Sequence, residues 1–199
     1  MKIKTLVLAI LSSLIIVGFS GCGKASYGVP AKEESVNIKK DGTKSYITFG
    51  VEKIGYYAPL LEYIPQSDSF KHVTIIKPEE KYIYEVDEGE HYFYSMAGED
   101  YDFIKVNVEK GKMYYINIDS VFWSMKFSMT APIFFIPVTD KNELDTFENK
   151  QLISNTQKIK EWFDKRIHDP EFKEDFQERF LEWKDEDMEE KTLSKGFNL

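Results

Sequence analysis

Every second residue is apolar at Trp123, Met125, Phe127 and Met129, with Ser124, Lys126 and Ser128 between them. Side chains of a strand point alternately to its two faces, so this spacing predicts a strand with one buried and one wet face. The same period recurs at Ile104, Val106 and Val108 and again at Tyr114, Ile116 and Ile118, on either side of Glu109-Lys110-Gly111-Lys112. A short glycine-containing loop between two alternating runs predicts an antiparallel hairpin. Further strands are predicted at Tyr46 to Val51, Val73 to Ile76, Tyr82 to Val86, Tyr92 to Met96 and Phe134 to Val138. Turns at Asp87-Glu88-Gly89 and Gly98-Glu99-Asp100 separate neighbouring strands. About seven short strands with turns at this spacing predict an antiparallel β-sandwich over residues 45–138.

The pattern changes at Asp140, and residues 139–199 are predicted as an amphipathic helical C-terminal segment, making the chain mainly β and α+β overall. A first helix carries Leu144, Phe147, Leu152, Ile159, Phe163 and Ile167, with a break near Ser154. A second is better marked: Asp169 is a natural N-cap, Pro170 occupies the first helical position, and Phe172, Phe176, Phe180 and Trp183 follow at helical spacing. Such an aromatic stripe is a packing face, predicted to lie on the sandwich.

The start of the chain has a third pattern. Met1-Lys2-Ile3-Lys4 is basic, and an apolar run from Leu6 to Phe19 follows, interrupted by Ser12, Ser13 and Gly18. A charged start before a short apolar run predicts a secretory signal peptide over residues 1–21. Its ending, Phe19-Ser20-Gly21-Cys22, resembles the lipobox of bacterial lipoproteins, in which small residues precede a cysteine that is lipidated on its thiol. That family favours Leu three residues before the cysteine, where this chain has Phe19. The resemblance implies an extracytoplasmic protein, lipid-anchored to a bacterial membrane through palmitate-like chains at Cys22. Gly23, rather than Asp, resembles the choice of lipoproteins sent to the periplasmic side of the outer membrane where the host has two membranes. Residues 22–44 are polar and read as a flexible tether, with an edge strand expected at Val36 to Ile38. Such a tether holds a domain roughly 25 Å from its anchor.

Composition agrees with a folded domain: 42% of the 199 residues are hydrophobic and 30% charged, unlike a disordered chain or a multi-span membrane protein. Loss of the leader removes Lys2 and Lys4, so Lys plus Arg falls from 26 to 24 against 34 acids and the net charge from -8 to -10. An acidic chain without a basic stretch argues against nucleic acid as a partner. Cys22 is the only cysteine, so no internal disulfide is expected and the core must supply the stability. Three Trp, twelve Tyr and fifteen Phe provide large side chains to build it.

Candidate chemistry is sparse. His72, His91 and His168 each stand at the edge of an element, in no metal-ligand spacing, and His91 draws attention by opening a strand after an acidic turn. No serine lies in a Gly-x-Ser-x-Gly elbow. Glu99, Asp100 and Asp102 beside Gly98 lack the alternating series of a calcium loop. The run Asp185-Glu186-Asp187 with Glu189-Glu190 reads as the solvated end of the last helix. No residue is therefore assigned as catalytic, cofactor-binding or metal-binding, and no cofactor is expected.

The stretch Gly89-Glu90-His91-Tyr92-Phe93-Tyr94, followed by Val108-Glu109-Lys110-Gly111-Lys112-Met113-Tyr114-Tyr115-Ile116, resembles an uncharacterised bacterial lipoprotein family. Its members pair a Gly-x-His strand start with a Gly-x-x-Tyr-Tyr strand. The resemblance covers Tyr82 to Ile118 and implies a transthyretin-like or carboxypeptidase-regulatory-like β-sandwich with no associated catalytic residues. The expectation is an envelope lipoprotein that acts as a non-catalytic binding or structural module, its partner an envelope protein or surface polymer. The alternative is a small extracytoplasmic hydrolase with a site near His91 and the Gly98 loop.

Overall fold

The computed structural model of the protein describes residues 28–31, 38, 42–52, 57–97, 100–120 and 132–198. The leader, Cys22, Gly98, Glu99, the alternating run Trp123 to Met129 and most of the expected edge strand at Val36 to Ile38 lie outside them. The strands are β1 (Gly28–Pro30), β2 (Ser45–Val51), β3 (Ala58–Ile64), β4 (Ser69–Ile76), β5 (Glu80–Val86), β6 (Gly89–Ala97), β7 (Asp100–Val108), β8 (Lys112–Ser120) and β9 (Ile133–Val138). After them come α1 (Asp145–Glu148), β10 (Gln151–Asn155), α2 (Gln157–Ile167), α3 (Pro170–Glu186), β11 (Thr192–Leu193) and β12 (Phe197–Asn198).

These strands form two sheets. Sheet I runs β1-β10-β5-β2-β8-β12, with β9 also paired to β8, and sheet II runs β11-β7-β6-β3-β4. The protein is mainly β, but the sheets are mixed rather than purely antiparallel, and the described residues form about twelve strands rather than seven. Parallel pairing joins β2 to β8, β10 to β5 and β11 to β7. Three of the additional strands come from the segment read as helical. Leu152 belongs to β10, not to a helix, and β10 pairs with Gly28–Pro30 within the expected tether. Leu152 and Ile153 are both buried although adjacent, which a strand covered on both faces satisfies.

The expected hairpin across Glu109-Lys112 does not form: β7 lies in sheet II and β8 in sheet I. Alternation fixes which face of a strand is buried, not which strand lies beside it. The turn carries the chain from one sheet to the other and is held by Ser45, whose hydroxyl donates to the Glu109 carbonyl at 2.9 Å and accepts from the Gly111 N–H at 3.0 Å. Gly111 has φ +73°, and a side chain there would meet the Gly42 carbonyl oxygen at 2.9 Å. Only glycine fits this crossing.

Ile47, Phe49, Leu60, Phe93, Ile104 and Ile116 meet between the sheets in the principal core. A second core lies on the other face of sheet II. There α3 begins as the sequence predicts, Asp169 accepting the Glu171 N–H at 3.1 Å with Pro170 behind it. Its stripe of Phe172, Phe176, Phe180 and Trp183 packs on Tyr63, Tyr94 and Phe103, and α2 adds Ile159 and Phe163. Ring centroids of Phe176 and Tyr63 are 4.7 Å apart, those of Trp183 and Phe103 5.3 Å. Phe176→Ala is expected to cost about 3–5 kcal/mol in urea unfolding. Leu181→Ala, on the 57% exposed opposite face of α3, is expected to change stability by less than about 0.5 kcal/mol.

Candidate functional site

Strand alternation places Leu60 and Glu62 of β3 toward sheet I, while Leu61 and Tyr63 face the helices. Glu62 is thereby a carboxylate inside the sandwich, 3% exposed. An unpaired charge there is prohibitive, and three side chains answer it. Tyr84, from sheet I, donates its hydroxyl to Oε2 at 2.7 Å. His91 of β6 places Nδ1 2.5 Å from Oε1, and the exposed Lys71 ammonium stands 3.6 Å from Oε2. The second nitrogen of His91, Nε2, lies 2.9 Å from the Asp87 carbonyl oxygen.

Carboxylate and carbonyl oxygens only accept, so a ring held between them donates from both nitrogens and is an imidazolium. Burial alone lowers the His91 pKa, but the hydrogen bonds to Glu62 and Asp87 and the Glu62 charge reverse this and raise it above its ordinary 6.5. Burial likewise raises the Glu62 pKa, and the hydrogen bonds from His91 and Tyr84 with the nearby positive charges carry it below its ordinary 4.5. The Tyr84 hydroxyl is pushed well above its usual range by burial and by the Glu62 charge. A histidine with both nitrogens engaged has no lone pair with which to take a proton from a nucleophile.

Asp102 is a second buried carboxylate, 8% exposed, on the inner face of β7. It accepts the Phe135 N–H of sheet I at 2.6 Å, the Lys191 ammonium at 2.8 Å and the Phe103 N–H at 2.9 Å. Burial pushes its pKa up against the pull of Lys191 and the two amides. Glu62 and Asp102 thus each tie sheet II to sheet I.

The structure does not bring the sequence candidates together. His91 and Ala97 are six residues apart on one strand, about 20 Å, and Gly98 follows Ala97. Asp100 pairs opposite Ala97, and the Asp102 carboxylate is consumed by its three donors. His72 stacks on Phe163 with centroids 5.6 Å apart, and His168 bonds the Asp164 carbonyl at the end of α2. Among the described residues no group of three or more His, Cys, Asp or Glu converges to hold a metal, and no helix is long and apolar enough to cross a membrane. Glu62 and Tyr84 escape sequence reading, because an acid is recognisable as buried only once the register of β3 is known. No protein-family model matches the chain, and comparison with curated proteins and with solved structures finds no match.

The pH dependence of this network has a defined sign. The raised His91 pKa contributes stability that is complete below 6.5 and lost as pH rises through the folded value; the lowered Glu62 pKa contributes stability present above 4.5 and lost as pH falls through the folded value. Unfolding free energy measured against pH should therefore carry a contribution greatest between about 4.5 and 6.5. His91→Phe should flatten its alkaline limb. Glu62→Ala should cost about 3 kcal/mol or more at pH 6, since it strands the imidazolium.

Proposed function

We propose that this chain is a membrane-anchored envelope lipoprotein, lipidated at Cys22, whose folded part is a non-catalytic binding or structural module. The engagement of both His91 nitrogens carries the non-catalytic half of this reading, because it withdraws from chemistry the histidine best placed for it. The leader and lipobox pattern carries the anchoring half. In the family that the segment Tyr82 to Ile118 resembles, no catalytic residues are associated with the transthyretin-like domain. Anchoring at Cys22 would keep the sandwich close to the membrane: β1 begins at Gly28, six residues on, and six extended residues span at most about 20 Å. On the outer membrane this means a periplasmic module at the bilayer surface, working on an envelope protein or a surface polymer. Its net charge of -10 after loss of the leader favours partners with a basic face.

The rival reading, a small extracytoplasmic hydrolase, has in its favour that Glu62 holds His91 through Nδ1, as a carboxylate orients a catalytic base. It requires Nε2 to leave the Asp87 carbonyl. Turnover of ester, phosphate-ester or glycoside substrates that disappears in His91→Gln would establish the rival and displace the binding reading.

Labelling cells with an alkyne fatty-acid analogue tests the anchor. Label and membrane association are expected in the natural chain, and both should be lost in Cys22→Ala. Label retained by Cys22→Ala would place the lipid elsewhere and overturn the assignment.

A further inference from the structure

Charge is divided unevenly between the two helices that cover sheet II. α3 holds seven acids against three bases, whereas α2 holds Lys158, Lys160, Lys165 and Arg166 against Glu161 and Asp164. In a chain of net charge -8, α2 is an island of positive charge. Its residues are also ordered. Positions i, i+4 and i+7 share a helix face, so Lys158, Trp162 and Lys165 form one row along α2. Both lysines are exposed, and no ion pair among the described residues engages either. Trp162 between them is half-buried, its ring edge-on to Phe163 with centroids 5.0 Å apart. An amphipathic indole flanked by ammonium groups suits a lipid headgroup layer, where Trp settles at the interface and Lys meets phosphate.

The fold sets this row beside the chain's point of entry. Gly28 of β1 pairs opposite Asn155, and α2 starts at Gln157, two residues further on. β1 and α2 both lie against β4. Cys22 precedes Gly28 by six residues, at most about 20 Å of chain, so a lipid there brings α2 to the bilayer surface. An anionic surface repels the acidic α3 and attracts α2, which orients the domain. Two lysines bind lipid weakly from solution, but a tether makes the contact intramolecular and a weak contact is then enough. We infer that α2 is the face the domain turns to its own membrane. Lys158 and Lys165 meet the phosphates of anionic phospholipids, and Trp162 enters the headgroup layer between them. This rests on lipidation at Cys22, which sets the distance.

The full acylated chain in nanodiscs that carry a gadolinium-chelate headgroup lipid tests this through its indole NMR signals. In discs of equimolar phosphatidylcholine and phosphatidylglycerol, the Trp162 signal should broaden far more than that of Trp183, which is 4% exposed against sheet II. In phosphatidylcholine alone the difference should vanish. Lys158→Gln with Lys165→Gln should lower the ratio of docked to undocked domain about 25-fold, since each lysine near an anionic surface is worth about a factor of five. Lys173→Gln with Lys184→Gln removes the same charge from α3 and should change that ratio less than about twofold. Mass spectrometry of the same sample separates the docking from the anchor. A chain without acyl groups overturns both, whereas an acylated chain with equal broadening of Trp162 and Trp183 overturns the docking alone. The docking is likewise overturned if the difference persists in phosphatidylcholine alone, if it survives the α2 double substitution, or if the α3 pair abolishes it equally. A Trp162 signal that responds to soluble polyphosphate and not to the discs would assign the row to an anionic polymer and overturn it too.

Discussion

The stacking of Phe172, Phe176, Phe180 and Trp183 on Tyr63, Tyr94 and Phe103 gives sheet II a second buried face, and the remaining architecture follows from that. A sandwich of two sheets ordinarily buries one face of each and leaves the other wet. Here helices seal sheet II from outside, while Phe147 covers part of the outer face of sheet I beside Gly50 and Tyr115. All seven residues of β2 are buried as a result, including Tyr46 and Thr48 on the face turned away from the principal core. The described residues stack α2 and α3 on sheet II and sheet II on sheet I, with Phe147 of α1 against the outer face of sheet I.

The space between the sheets makes an electrostatic demand. Alternation turns Glu62 and Asp102 into this dry interior, where each must find a partner. Glu62 and Asp102 meet this requirement by reaching across to the opposite sheet, the first to the Tyr84 hydroxyl and the second to the Phe135 amide. Each draws in a cation, His91 and Lys191 respectively. Hydrophobic packing sets the spacing of the sheets, and these two bridges favour one register of sheet against sheet. His91 belongs to this framework as a structural cation, which separates it from the role its position at a strand start first suggests.

Much of this was legible in the sequence, in particular places. β2, β6, β8 and β9 announce themselves because β-branched and aromatic residues recur with period two, and α3 because Asp169-Pro170 and the aromatic stripe agree on its start and its buried face. β3 is hidden by Pro59, which reads as a strand breaker, and by Glu62. Pro59 sits near the start of β3, opposite Ile75 of β4, where pairing with β6 has not yet begun. Leu144, Phe147 and Leu152 have spacings a helix can also use, so the sequence pattern does not mark β10 as a strand. The sheet change at Glu109-Lys112 was invisible, since it depends on Ser45 and Gly42 more than 60 residues away. Of the candidate site, sequence offered His91 and its strand; what holds it, Glu62 and Tyr84, emerges only from tertiary register.

The protonation of the His91 ring decides most directly whether this residue is framework or chemistry. Nitrogen-15 NMR of the imidazole, followed from pH 5 to 9, reads both nitrogens at once. A doubly protonated ring at pH 6.5, titrating with a midpoint above that value, is the result expected of a cation clamped between Glu62 and the Asp87 carbonyl. A neutral ring at pH 6.5 with an unprotonated Nε2 and a midpoint below that value would contradict it, and would return His91 to the residues able to act as a base.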